Sequence, residues 1–374
     1  MTTDATAGSA QYGVNRSRRG LLRGVAGLAV ALPAIRALST AEAAEPTNHL
    51  DRRTQHTMGE YRLITDQLTT PEGPIALADG SVLVCEMVEG RVSRVTPDGR
   101  VIPLPSLGGA PNGAAIGPDG ACYVTNNGGF NSARGPSGKL EMRPGLPPGY
   151  KGGSIQRIDL KSGDIKTLYT QVDGKNLRGP NDLVFDESGG FYFTDMGKIL
   201  GDDTLDFGAL CWARPDGSEI RKLAGRLLTP NGIALSPDRR TLYVALTEKR
   251  QVLAFHVVGP GQLEVDDKGR ARREVLVSIG GDLAFDSMKV EQNGNLVVGT
   301  LLIGCLSVFS PSGTQLRQIF LPDPGVTNLA FGGPRLRTAY VTLTNTGRLV
   351  AVAWPRPGLK LEFQDLQDAH QSPA

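Results

Sequence analysis

Six times between Tyr61 and Thr342 the chain repeats one short unit: a polar residue in a tight context, a strand, a turn and a second strand. The second strands are rich in β-branched and aromatic residues, as in Val82-Leu83-Val84, Cys122-Tyr123-Val124-Thr125, Phe191-Tyr192-Phe193-Thr194, Thr241-Leu242-Tyr243-Val244, Asn295-Leu296-Val297-Val298 and Ala339-Tyr340-Val341-Thr342. Most follow a turn such as Asp79-Gly80, Asp119-Gly120 or Asn293-Gly294, where glycine supplies the positive φ a tight hairpin needs. The leading polar residues are Glu72, Asn112, Asn181, Asn231, Asp286 and Asn328, spaced by 40, 69, 50, 55 and 42 residues. Propeller blades recur at about 40–50 residues. The pattern therefore predicts an all-β chain, a six-bladed β-propeller with four-stranded blades, over residues 60–358.

Between successive units there is room for two further strands. Ser154 to Ile158 and Ile165 to Tyr169, separated by the Lys161-Ser162-Gly163-Asp164 turn, fill that room in the second repeat. The innermost strand of each blade then begins at the leading polar residue, and all six side chains start at one end of the central channel. Residues more than 200 positions apart become neighbours in a ring. The one long interval holds the Gly- and Pro-rich stretch 128–153, read as a surface insertion at one end of the propeller. Residues 359–374 are polar and read as a loose C-terminal tail.

The N-terminus carries a different signal. Ser17-Arg18-Arg19-Gly20-Leu21-Leu22-Arg23, the apolar run 24–35 and Ala41-Glu42-Ala43 follow the order of a twin-arginine signal peptide with its cleavage site. Residues 1–43 are thus read as a targeting segment and 44–59 as a linker. The expected location is periplasmic or secreted, with the twin-arginine translocation machinery as partner during export. The formal charge of the whole chain is +2, but the targeting segment holds five arginines against two acids, which leaves the body at −1. No basic stripe argues for nucleic acid, and the mature part has no apolar run of membrane-spanning length.

A ring of carboxylate and amide oxygens is the donor set of a hard divalent cation, because calcium takes six to eight oxygens and tolerates neutral ones. Glu72 and Asp286 bring charge, and Asn181 and Asn231 bring neutral oxygens. Four protein ligands leave positions open for water and substrate, the mark of a catalytic rather than a structural metal site. An Asn before Gly is in isolation an ordinary turn former; six polar residues on one period make the ligand reading the stronger one. Asn112 and Asn328 are read as ring-lining, substrate-side groups that alternatively only cap strands. Competing chemistries lack their residues: there is no G-x-S-x-G elbow, no P-loop and no dinucleotide fingerprint. Of four histidines only His256 falls in the body, inside an apolar strand. The four cysteines (Cys85, Cys122, Cys211, Cys305) lie far apart in strand-like stretches and read as small buried hydrophobes.

The motifs EGP at Glu72, Arg178 shortly before PND at Asn181, PNG at Asn231, Asp-x-Met at Asp286 to Met288, and TNLAFGG at Thr327 to Gly333 stand in a fixed order at blade spacing. Over roughly residues 60–355 the chain resembles the senescence-marker-protein, gluconolactonase and luciferin-regenerating-enzyme family. The resemblance implies a six-bladed propeller with a divalent metal, usually calcium and in some members zinc, that hydrolyses sugar lactones. It also implies that Glu72, Asn231 and Asp286 are metal ligands, that Asn181 completes the shell or touches substrate, and that Arg178 is a substrate-side arginine. Asp286 is then the general base. Two other functions fit the same ring: a phosphotriesterase, and a non-catalytic propeller that binds a ligand at the channel mouth. Two carboxylates rather than amides alone favour an enzyme, while the loops that select a substrate are not legible in sequence.

Overall fold

A computed structural model describes residues 55–135, 140–143, 145–201 and 204–366. The targeting segment read over residues 1–43 lies outside the described residues. Among those described, six antiparallel sheets form the blades of a six-bladed β-propeller, and the one helical element is a 3-10 turn at Pro334–Leu336. The innermost strands are Pro71–Ala76, Pro111–Ile116, Pro180–Phe185, Pro230–Leu235, Ala284–Val290 and Val326–Gly332. They line the channel in sequence order.

Blade 1 is sequential, running Pro71–Ala76, Val82–Glu86, Arg91–Val95 and Val101–Pro103 outward. Blade 6 is not. Its three inner strands Val326–Gly332, Thr338–Leu343 and Arg348–Ala353 come from the end of the chain, and its outermost strand, Tyr61–Thr65, comes from the beginning. Tyr61 pairs antiparallel with Val352 and Leu63 with Val350. This exchange ties first blade to last with backbone hydrogen bonds and closes the ring of sheets. Blade 5 gains a fifth, parallel strand, Gln55–Met58, drawn from the stretch read as linker.

The alternation of side chains along each strand puts one set against the preceding blade and the other against the next. Six apolar clusters result, one at each blade junction. The junction of blades 3 and 4 is built on Trp212, Phe255, Leu242 and Val244, all buried. That of blades 2 and 3 stacks Tyr123, Phe185, Phe191 and Phe193 in edge and tilted contacts of 5.2–6.1 Å. Each fully buried ring or branched side chain contributes about 1.5–3 kcal/mol. The four cysteines are free and buried in these layers, as the sequence reading expected.

Residues 359–366, read from the sequence as part of a loose tail, instead cross the channel at the ends of the innermost strands. Leu359 N–H donates to Val290 O (2.7 Å), Arg239 Nε to Glu362 Oε1 (2.9 Å) and Gln364 Nε2 to Phe331 O (3.2 Å). Phe363 packs edge-on against Phe185 at 5.7 Å. Below this strap the channel wall is mostly apolar, with Pro74, Ala114, Val184, Ala234 and Ala330 beside the stem of Lys289. The polar tail composition hid the few contacts that fix the segment: one leucine, one phenylalanine and one ion pair, each to a different blade.

Candidate metal centre

Every innermost strand breaks register near its leading polar residue. The shifts fall between Glu72 and Ile75, Pro111 and Ala114, Pro180 and Leu183, Pro230 and Ile233, Phe285 and Met288, and Val326 and Asn328. A bulge bends the strand and re-aims a side chain. Here it does so six times at one end of the channel. The crowding at these bulges explains the motif glycines: Gly73 has φ 51°, and a Cβ there would stand 2.2 Å from Asn112 O. A threonine on the second strand of one blade grips the ring residue of the next. Thr125 Oγ1 donates to Asn181 O (2.5 Å) and Thr194 Oγ1 to Asn231 O (2.6 Å).

All six ring residues are buried, none above 8% exposure. Ser287 Oγ stands 3.4 Å from Glu72 Oε1 and 3.5 Å from Asn231 Oδ1, so oxygens from blades 1 and 4 converge beside Asp286 on blade 5. Asn231 Nδ2 donates to Thr247 Oγ1 (3.2 Å), which leaves its oxygen directed inward. Asn181 and Asn112 are held alike: their amide nitrogens lie on the sulfurs of Met196 (3.6 Å) and Met87 (3.3 Å), and both Oδ1 atoms are buried with no donor. Asn328 is different. Its Nδ2 donates to Glu72 Oε2 (2.7 Å) and its Oδ1 accepts from Leu329 N–H (2.8 Å), so it orients Glu72 and has no oxygen left over.

The charge balance of the ring is unusual for a protein interior. Burial pushes the Glu72 carboxyl well above its ordinary range, the charges of Asp286 and Asp182 add to this, and the Asn328 amide and the Gly73 N–H oppose it. Asp286 is pushed up to about 7, chiefly by burial, with a hydrogen bond from Asn231 and the Ser287 N–H opposing and the Asp182 charge adding. Asp182 itself faces Lys289 Nζ at 3.4 Å. These two belong to blades 3 and 5, so their pair spans the channel rather than a blade junction. Asp182, Ser287 and Lys289 were given no role in the sequence reading. The signal was present, since each stands one or three places beyond a ring residue on the same strand.

Two buried carboxylates that disfavour each other's charge, beside amide oxygens without donors, are a donor set that fits a hard divalent cation. Among the described residues no three His, Cys, Asp or Glu side chains form a metal cluster by themselves. The fit therefore depends on the asparagine oxygens, as the sequence reading required. No imidazole or thiolate joins the ring, a chemistry that suits calcium better than zinc.

Arg178 stands at the same end of the channel, outside the ring. Its guanidinium pairs with Asp206 (2.7 Å) and lies 5.8 Å from the Tyr150 ring centroid. Asp195, buried, accepts from the N–H groups of Arg178 (2.8 Å) and Gly179 (2.6 Å) and so fixes the loop that leads into Asn181. Tyr150 belongs to the stretch read as the insertion 128–153 and donates its hydroxyl to Arg178 O, and Gly153 N–H donates to Leu177 O (2.7 Å).

Residues 70–345 match the model of the SMP-30/gluconolactonase/LRE-like region. A lactonase drp35 from Staphylococcus aureus is 28% identical over 249 residues, which cover 65% of this chain and 67% of that protein. A lactonase drp35 from Staphylococcus saprophyticus is 27% identical over 245 residues, with the same coverage. Among solved structures, a gluconolactonase from Xanthomonas campestris superposes with a TM-score of 0.61 at 25% identity, over 80% of this chain and 91% of its own. Regucalcin from Agrobacterium tumefaciens, a calcium-binding protein, superposes with a TM-score of 0.61 at 16% identity, over 82% and 100%. The latter likeness speaks to fold alone.

Proposed function

We propose that this chain, which belongs to the SMP-30/gluconolactonase/LRE-like family, is a metal-dependent hydrolase that opens lactones. The observation that carries the reading is the buried ring that sets the carboxyls of Glu72 and Asp286, both pushed up by burial, beside the unpartnered Asn181 Oδ1. The lactonases among its relatives support the reaction class.

Glu72, Asn181, Asn231 and Asp286 are the residues that would hold a divalent cation, calcium by donor chemistry, with Asn112 Oδ1 free to face the same space. When bound there, such an ion supplies Lewis-acid polarisation of the lactone carbonyl. Asp286 acts as general base: it takes a proton from water as the water oxygen bonds to the carbonyl carbon. The ring C–O bond then breaks, and the proton passes to the departing ring oxygen to give the open hydroxy acid. Asn328 keeps the Glu72 carboxylate in place, and the apolar walls beneath the ring keep bulk water from that side. Arg178 is the substrate-side cation, and the protein acts outside the cytoplasm after cleavage near Ala43.

The test is acid release from a panel of aldonolactones by purified mature protein, stripped of metal and then given calcium, zinc, manganese or magnesium. Turnover lost on chelation and restored by one ion is the expected result. One tightly bound ion with no lactone opened would move the reading to a phosphotriesterase or a binding propeller. N-terminal sequencing of the exported protein tests the cleavage site.

A further inference from the structure

Beside the ring, between blades 2 and 3, lies a buried lysine that the proposed hydrolysis does not use. Lys198 follows the strand Phe191–Asp195 by three residues and is 8% exposed. Two residues before it, Met196 holds the Asn181 amide with its sulfur and donates its own N–H to Gly179 O (2.9 Å). The amine is thereby anchored next to the ring. It donates to Asn127 Oδ1 and to Gly129 O (2.8 Å), and lies 4.9 Å and 5.1 Å from the ring centroids of Phe130 and Tyr150.

A buried ammonium is costly unless an anion balances it. Among the described residues no carboxylate lies within ion-pairing distance of Lys198. The acids nearby are already engaged: Asp206 pairs with Arg178, and Asp195 accepts the N–H groups of Arg178, Gly179 and Gly197. Tyr150 is no counter-charge either, since its hydroxyl donates to Arg178 O and its own pKa is raised to about 12. The two oxygens around the amine are neutral and take two of its three protons. The third proton faces the rings of Phe130 and Tyr150, and the one carboxylate that acts on the ammonium, Asp195, does so through space without a direct pair.

We propose that Lys198 is the recognition group of an anion subsite beside the ring, and that the substrates opened here carry a carboxylate or phosphate as well as the lactone. The substrate class depends on the hydrolase reading, whereas the subsite stands apart from it. In the free protein burial lowers the Lys198 pKa to about 7, with Asp195 opposing and Arg178 adding to the shift. An arriving anion stabilises the ammonium, so binding above neutral pH takes up a proton. A neutral sugar lactone would gain nothing from this position.

The experiment compares gluconolactone with glucarolactone and 6-phosphogluconolactone in the metal-loaded wild type and in Lys198→Gln, which keeps a donor for Asn127 and removes the charge. A charge-assisted hydrogen bond of about 1.5–3 kcal/mol corresponds to a rise in KM of about tenfold or more for the anionic lactones. KM for gluconolactone stays unchanged in the variant. The two anionic substrates separate a carboxylate slot from a phosphate slot. A second arm needs no turnover: calorimetric titration with glucarate and with 6-phosphogluconate at pH 8, in two buffers of different ionisation enthalpy, reads both affinity and proton uptake. Binding with uptake in the wild type, weakened in the variant, supports the subsite even if no lactone is opened, an outcome that would sink only the hydrolase reading. Equal KM values for neutral and anionic lactones in the wild type, with glucarate and 6-phosphogluconate binding unaltered by Lys198→Gln, would overturn it and leave Lys198 as a pin for the 127–130 segment.

Discussion

Asn328 on the last blade donates from Nδ2 to Glu72 Oε2 on the first, at 2.7 Å and across 256 residues of sequence. Blade closure and the ring are therefore coupled at one hydrogen bond. Replacing Asn328 by Ala leaves Glu72 without its strongest neutral donor in a buried site. Removal of such an outer-shell partner lowers metal affinity by about 10–100-fold. Calorimetric titration of the metal-stripped variant with calcium checks this, and affinity equal to wild type would separate Asn328 from the site.

Asp286→Asn tests the general base. The amide keeps an oxygen in the ring, so the variant still binds one divalent ion, more weakly for the lost charge. Turnover of any lactone that the wild type opens falls by about 10²–10⁴. Undiminished turnover in the variant would remove Asp286 from the mechanism.

The metal-stripped protein should show an inverted acid response. Glu72 and Asp286 both have folded pKa values above their ordinary ones, so the fold binds more protons than the unfolded chain. Their contribution to stability is fully present below the unfolded value of 3.8 for Asp286 and is lost as pH rises through about 7. Urea midpoints of the chelator-treated protein between pH 5 and pH 8 should therefore fall with pH. Saturating calcium should abolish that slope, and a slope indifferent to calcium would dissociate these carboxylates from the ion.

Lys289→Met leaves Asp182 buried opposite an apolar group. Breaking a buried ion pair from one side costs about 3–5 kcal/mol, so a loss of about 3 kcal/mol is expected in denaturant unfolding. Adding Asp182→Asn should recover most of it. A double-mutant cycle with no coupling would mean that the 3.4 Å contact across the channel carries no energy.

Closure of the ring makes a sharp truncation boundary. Deleting residues 1–54 leaves every described strand in place. Deleting residues 1–66 strips Tyr61–Thr65 from blade 6 and leaves the pairing edge of Arg348–Ala353 open. The longer deletion should lose its cooperative thermal transition and associate through the exposed edge, as read by scanning calorimetry and sedimentation. A monomeric, cooperatively folding product would show that the exchanged strand is dispensable.

Much of this protein is written in local chemistry. Turns such as Asp119-Gly120 and Asn293-Gly294 need glycine's positive φ, and strands such as Phe191 to Thr194 need β-formers, so blade number and the six ring positions follow from residues that are neighbours in the chain. The sequence also makes Asn181 and Asn231 candidate ligands, because a short polar side chain after proline at the head of a strand recurs on the blade period. What it does not contain is the partner of each side chain. Asn112 and Asn328 look alike in sequence, yet one ends with an orphaned oxygen and the other is used up on Glu72. Asp182 with Lys289, the N-terminal strand in the last blade, the strap of residues 359–366 and a Lys198 without a direct ion pair likewise exist only once the ring has closed. Short-range rules set where the backbone turns; the orientation and charge of a buried group are set by whatever the closed fold brings within a few ångströms, from parts of the chain that share no local pattern.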